Sequence, residues 1–207
     1  MNKQKYQLFP TLVTRYERVV SLDESKTIHD YCIRQKTYPH YILEGNSSSS
    51  HQQKINGEEN LLQELEKKIP KLKGIYDKVN FILNDYAKDM GIHPVVLSNN
   101  WFNIQGKGSI LRQHIHCHSV LSASLYLNVD KDSSSIYFEN PNATISFAYD
   151  GHETSKSEYL FEHYHLVPDP GDLIIFPSWL KHGSLYTENK TKNRTCISMN
   201  SLYRGGA

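Results

Sequence analysis

From Val95 onward the chain is a series of short runs rich in β-branched and aromatic residues, each closed by turn residues. No other feature restricts its fold as much. Strands are predicted at 95–104, 110–116, 119–128, 134–139, 144–149, 158–167, 172–177, 182–187 and 194–203. Strands this short bury nothing alone, so they must close into a sandwich or small barrel. Before Val95 the pattern is helical. Ser21 and Glu24 form a capping-box pattern that opens a helix predicted over 22–36, with Ile28, Tyr31 and Cys32 as its apolar stripe. A second helical region, 58–89, is interrupted at Pro70. Beyond it Leu72, Ile75, Tyr76, Val79, Ile82, Leu83 and Tyr86 recur at helical spacing, a stripe that needs a sheet to lie on. Residues 6–20 read as a leading strand broken by Pro10, and the serine-rich stretch 44–60 reads as a loop.

The chain of 207 residues is long enough for one sizeable domain, with 1–94 as strand plus helical support and 95–207 as the β core. A formal net charge of +1 with mixed signs offers no basic stripe, which argues against nucleic acid as a partner. No apolar run approaches the roughly 20 residues of a membrane span, and the opening residues lack the apolar core of a signal peptide. Cys32, Cys117 and Cys196 lie far apart without paired spacing, as expected of reduced thiols in a cytoplasmic protein.

Chemistry concentrates where three histidines, His114, His116 and His118, alternate just ahead of a strand-like run. Strand geometry would send all three imidazoles to one face and Ile115 and Cys117 to the other. That arrangement suits a metal, and it equally suits a polar strand end. With Cys117 pointing away, a His/Cys zinc site is disfavoured. A further histidine, His182, opens a later strand in FPSWLKHGS. Two near ligands plus a distant one, gathered by a barrel, make a facial metal site with open positions. Arg194 heads the next strand. If YTENKTKN is a hairpin turn, the strands of His182 and Arg194 are antiparallel neighbours, and the guanidinium faces the same cavity. There it would bind a carboxylate through two parallel hydrogen bonds. His163 and His165 repeat the alternation with no accompanying motif and read as an exposed strand face, while Trp101 and Trp179 read as core.

Five motifs lie in one order along the chain: LFPTLV at 8–13, WFNI at 101–104, HIHCHSVLSASLYL at 114–127, FPSWLKH at 176–182 and RTCISMN at 194–200. In this order they resemble the 2-oxoglutarate-Fe(II) oxygenase family found widely in bacteria and their phages. The resemblance implies a mainly β (α+β) fold, a double-stranded β-helix of the jelly-roll, cupin-like kind, with the N-terminal helices supporting one sheet. It implies His114, His116 and His182 as ligands of Fe(II), Arg194 as the anchor for the distal carboxylate of 2-oxoglutarate, and Tyr126 as a hydroxyl donor to that carboxylate. O2 would be the other cosubstrate, and hydroxylation of a primary substrate would release succinate and CO2. No motif names the primary substrate or the oligomeric state. Phe102, Leu125 and Phe176 are expected to line a dry cavity. Three positions depart from the family pattern: Ala123 where glycine is usual, Cys196 where a serine often assists the arginine, and His116 where most related families place a carboxylate. Two other readings fit the same residues. One is a cupin-like metal dioxygenase independent of 2-oxoglutarate; the other is a barrel that binds a metal or an acid without turnover.

Overall fold

Period-two patterning sorts this chain into two layers around one seam. The computed structural model describes residues 3–4, 9–51, 60–142, 161–185 and 187–205. Its elements begin with β1 (Thr14–Tyr16), α1 (Leu22–Cys32), β2 (Leu43–Glu44), β3 (Ser47–Ser49), α2 (Leu61–Lys68) and α3 (Ile75–Asp89). There follow β4 (Val95–Gln105), β5 (Ile110–Leu111), β6 (Leu121–Asn128), β7 (Ile136–Glu139), β8 (His163–Leu166), β9 (Leu173–Pro177), β10 (His182–Gly183) and β11 (Arg194–Tyr203). The major sheet has the order β1-β9-β6-β11-β4-β3, a minor sheet has the order β10-β7-β8, and β2 pairs with β5. The pairings are antiparallel, and the two sheets enclose an apolar seam of Tyr126, Ile136, Phe138, Ile174, Phe176 and Leu180. This is the double-stranded β-helix. Among the described residues no helix is long and apolar enough to cross a membrane.

The helices cover the outer face of the major sheet. Ile75, Val79, Leu83 and Tyr86 of α3 join Leu97, Phe102, Leu125, Leu173, Ile175 and Ile197 in one core. Amides fix α3 to the free edge of β4, where Asn84 Oδ1 accepts from Val95 N (3.0 Å) and Asn80 Oδ1 from Leu97 N (2.8 Å). Those bonds occupy backbone groups that would otherwise be an open sheet edge. The capping box of α1 is present, with Ser21 Oγ accepting from Glu24 N and Glu24 Oε2 accepting from Ser21 N. Ser21→Ala should lower stability by about 1 kcal/mol in urea unfolding and leave metal content unchanged.

Several expected elements differ. The first helix stops at Cys32, short of 36, because Arg34 N and Gln35 N turn back to the carbonyls of Tyr31 and Cys32 in tight turns. Part of the serine-rich stretch is strand, since Ser47–Ser49 pairs with Asn103–Gln105 of β4. The leading strand contracts to Thr14–Tyr16, and the strand expected at 182–187 contracts to two residues. The strand expected at 144–149 lies outside the described residues.

Gly171 sets the turn into β9. Its φ is +94°, and a side chain there would lie 2.2 Å from the Val20 carbonyl oxygen. Its amide donates to the Tyr126 carbonyl at 2.7 Å, so this turn also braces the strand that carries Tyr126.

Candidate functional site

Alternation along four strands divides polar from apolar residues. On β11, Arg194, Cys196 and Ser198 point into the space between the sheets, while Ile197 and Met199 face the helices. Trp101 and Asn103 of β4, Ser124 and Tyr126 of β6, and Phe176 of β9 line the same inner space. Phe102 and Leu125 do not. They have the opposite parity and belong to the helix-facing core, so of the three expected wall residues only Phe176 lines the cavity.

The expected strand over 110–116 is strand only at Ile110–Leu111, and past it the chain runs irregularly. His114 and His182 form an isolated antiparallel bridge, with each amide donating to the other's carbonyl (3.0 and 3.1 Å). His116 N then donates to the Ser178 carbonyl at 2.9 Å. Cys117 and His118 form a turn, with His118 at φ 63° and exposed, so the three-histidine alternation ends at His116. The ring nitrogens of His114, His116 and His182 lie within 4.8 Å of one another.

Hydrogen bonds fix the tautomers of two of these rings. Nδ1 of His114 meets the Arg112 carbonyl at 2.9 Å, and Nδ1 of His182 meets the Leu180 carbonyl at 2.8 Å. A carbonyl only accepts, so each Nδ1 carries the proton and each Nε2 presents a lone pair. His116 Nε2 lies 3.3 Å from His182 Nε2. Burial lowers the pKa of all three rings, assisted at His116 and His182 by the neighbouring imidazoles; His116 falls to about 3. Three neutral imidazoles with converging nitrogens form a donor set that fits a divalent transition metal with open positions. Three nitrogens on one face of an ion at about 2.1 Å each would stand about 3 Å apart, so rings within 4.8 Å of one another would have to close in to share one ion.

Arg194 lines the same cavity and is 3 % exposed. Its Nε donates to the Ser134 carbonyl (3.1 Å), one terminal nitrogen donates to Gln105 Oε1 (2.5 Å), and the guanidinium lies 5.2 Å over the Tyr126 ring. Among the described residues no carboxylate pairs with it. Burial raises the Tyr126 phenol above its usual range, so its hydroxyl stays protonated as a donor. The expected hairpin between His182 and Arg194 does not exist. β10 pairs with β7, and β11 lies between β4 and β6, so the two residues approach the cavity from opposite sheets. The intervening chain crosses over as Leu111 N donates to Ser184 Oγ and as the Asn189 amide bonds the carbonyls of Gln105 and Gly106.

Sequence reasoning missed part of the outer wall. His40, Ile42, Leu43 and Leu111 line the cavity, and Trp101 does so beside the ring of His116. Trp179, expected in the core, is 54 % exposed, because it sits in the turn that Leu180 N closes onto the Pro177 carbonyl. His163 and His165 lie on β8 at the partly exposed edge of the minor sheet. The cavity measures about 30 Å³.

A family model described as "Putative 2OG-Fe(II) oxygenase" matches residues 99–200. No curated protein sequence matches the chain. Among solved structures, the chain is similar to a prolyl-4-hydroxylase of Pseudomonas putida, with 13 % identity, TM-score 0.56 and 94 % of each chain covered. It is similar to a 2OG-Fe(II) oxygenase family oxidoreductase from Burkholderia pseudomallei, with 14 % identity, TM-score 0.61, and 95 % of this chain and 86 % of that one covered. HygX of Streptomyces hygroscopicus, solved with nickel and 2-oxoglutarate bound, shares 11 % identity at TM-score 0.56, covering 93 % of this chain and 83 % of its own. At these identities the likeness is one of fold.

Proposed function

We propose that this chain, which a 2-oxoglutarate-Fe(II) oxygenase family model matches over residues 99–200, is an oxygenase of that family that holds Fe(II) through His114, His116 and His182 and 2-oxoglutarate through Arg194. One observation carries the assignment. A cluster of three neutral imidazoles and a buried guanidinium that no carboxylate among the described residues pairs with line one cavity. Fe(II), when bound, supplies the O2 chemistry that splits 2-oxoglutarate into succinate and CO2 and oxidises the substrate. The protein's contribution is positional. Carbonyls of Arg112 and Leu180 orient two imidazoles, and the main-chain bridge between His114 and His182 fixes their separation. Arg194 receives the distal carboxylate, and Tyr126 donates its hydroxyl to the same group. Phe176, Trp101, Leu43 and Leu111 exclude water from the metal side. Three imidazoles bring no negative charge, so the dianionic cosubstrate completes the charge balance. The primary substrate is hydroxylated in this reading. The free thiols of Cys32, Cys117 and Cys196 support a reducing, cytoplasmic location.

The test is anaerobic titration with Fe(II) and 2-oxoglutarate, watching for the weak visible charge-transfer band of the chelate, followed by succinate measurement on admitting O2. A chain that takes up oxygen without forming succinate would instead be a metal dioxygenase independent of 2-oxoglutarate. Tyr126→Phe should weaken 2-oxoglutarate binding by about 1–3 kcal/mol through loss of one hydrogen-bond donor, while the ring still packs. A large fall in melting temperature with unchanged affinity would make Tyr126 a structural tyrosine.

A further inference from the structure

We propose that Gln105 is a positioning residue for cosubstrate binding, holding the Arg194 guanidinium in place while leaving its positive charge available to the incoming carboxylate. This rests on Arg194 being the carboxylate anchor. Gln105 and Arg194 stand directly opposite each other in the β4–β11 register, and Gln105 is only 1 % exposed. Gln105 is also paired through its backbone with Ser47 of β3, so strands flank it on both sides. Its Oε1 accepts from the guanidinium at 2.5 Å. Arg194 also meets the Ser134 carbonyl, the ring and hydroxyl of Tyr126 and the Cys196 thiol. Every one of these partners is neutral.

The Gln105 amide holds this orientation against its own interest. Its Nε2 is buried with no hydrogen-bond partner among the described residues, which is destabilising. Turning the amide over would bring two donors together at Arg194. A glutamate at 105 would remove the unpartnered donor and pair a charge with Arg194, and charge-assisted pairs are the stronger ones. For the fold alone, a carboxylate is therefore the better residue at this position. An amide is better only if the guanidinium must accept a carboxylate from outside. A resident glutamate would occupy the fork and repel the cosubstrate.

This argument predicts opposite movements of stability and affinity in one variant. Iron-loaded Gln105→Glu, Gln105→Met and Arg194→Ala proteins are titrated anaerobically with 2-oxoglutarate and with 2-oxopentanoate, the same chain lacking the distal carboxylate. In Gln105→Glu, 2-oxoglutarate affinity should fall at least about tenfold, the equivalent of 1.4 kcal/mol, with 2-oxopentanoate affinity held within about twofold. Its melting temperature should stay level or rise, a combination that a merely structural glutamine would not give. Gln105→Met, which removes the guide without adding charge, should weaken 2-oxoglutarate less, by about threefold, again sparing 2-oxopentanoate. If Arg194→Ala weakens 2-oxoglutarate but neither Gln105 variant does, Gln105 has no positioning role and the anchor stands. If Arg194→Ala binds 2-oxoglutarate as the parent does, the anchor itself is misassigned. Should Gln105→Glu fail to fold, Gln105→Met decides the question alone, and unchanged selectivity between the two acids overturns the proposal.

Discussion

Alanine at His114, His116 or His182 empties the site of iron, and alanine at His118 leaves it loaded. The first three contribute ring nitrogens to one cluster, and removing any of them leaves two neutral donors and no charge to hold a divalent ion. Even the loss of a partner that supports a ligand typically lowers metal affinity 10–100-fold, so loss of a ligand should exceed about 100-fold. His118 has left-handed backbone within the turn, and its exposed ring is not part of the cluster. Metal is measured by elemental analysis after anaerobic loading with 2-oxoglutarate and desalting, because the dianion supplies the charge that three imidazoles lack. The same nitrogen-rich set should let Zn²⁺, Ni²⁺ or Cu²⁺ compete well with Fe(II). A His118→Ala protein that loses its iron while His114→Ala retains it would move the ligand pair to 116 and 118.

Arg194→Ala should weaken 2-oxoglutarate by about 2–5 kcal/mol while iron stays in place, since one end of a buried charge pair is removed. This corresponds to roughly 30-fold to a few thousand-fold in affinity, at 1.4 kcal/mol per tenfold. The apoprotein should tolerate the change better than that figure suggests. Its guanidinium is buried without a carboxylate partner among the described residues, so truncation also removes a charge that none of them compensates. Calorimetry on the iron-loaded variant separates the outcomes. Unchanged affinity would leave Arg194 with a structural role only, tying Ser134 to Gln105.

Short apolar and β-branched runs closed by turn residues were enough to read β4, β6, β9 and β11 from the sequence. The resemblance to the oxygenase family assigned His114, His116, His182, Tyr126 and Arg194 to candidate roles, and all of them line one cavity. Alternation does not say which strands are neighbours. His182 and Arg194 are joined by turn-rich chain and look like the two arms of a hairpin, yet Asn189 carries that chain from one sheet to the other. Serines have little strand preference of their own, so Ser47–Ser49 becomes strand only because β4 offers an edge. The turn at His118 carries neither glycine nor asparagine at its left-handed position, so nothing in the sequence announces it. Gln105 belongs to no motif. Its part emerges only when two strands far apart in sequence set it opposite Arg194.

The position of β11 has a consequence for biosynthesis. It is the last of the described strands to leave the ribosome, yet it lies in the middle of the major sheet between β6 and β4. Until it is inserted, β6 and β4 each present an unpaired edge beside apolar surface, the kind of surface that pairs with other chains. The nascent protein therefore carries its three histidines before it has a closed sheet or an arginine beside them. Iron met at that stage would find ligands without the pocket that receives its diacid partner. Closure by β11 builds the cosubstrate pocket and removes the sticky edges in one event, so completion of the fold and readiness for 2-oxoglutarate arrive together.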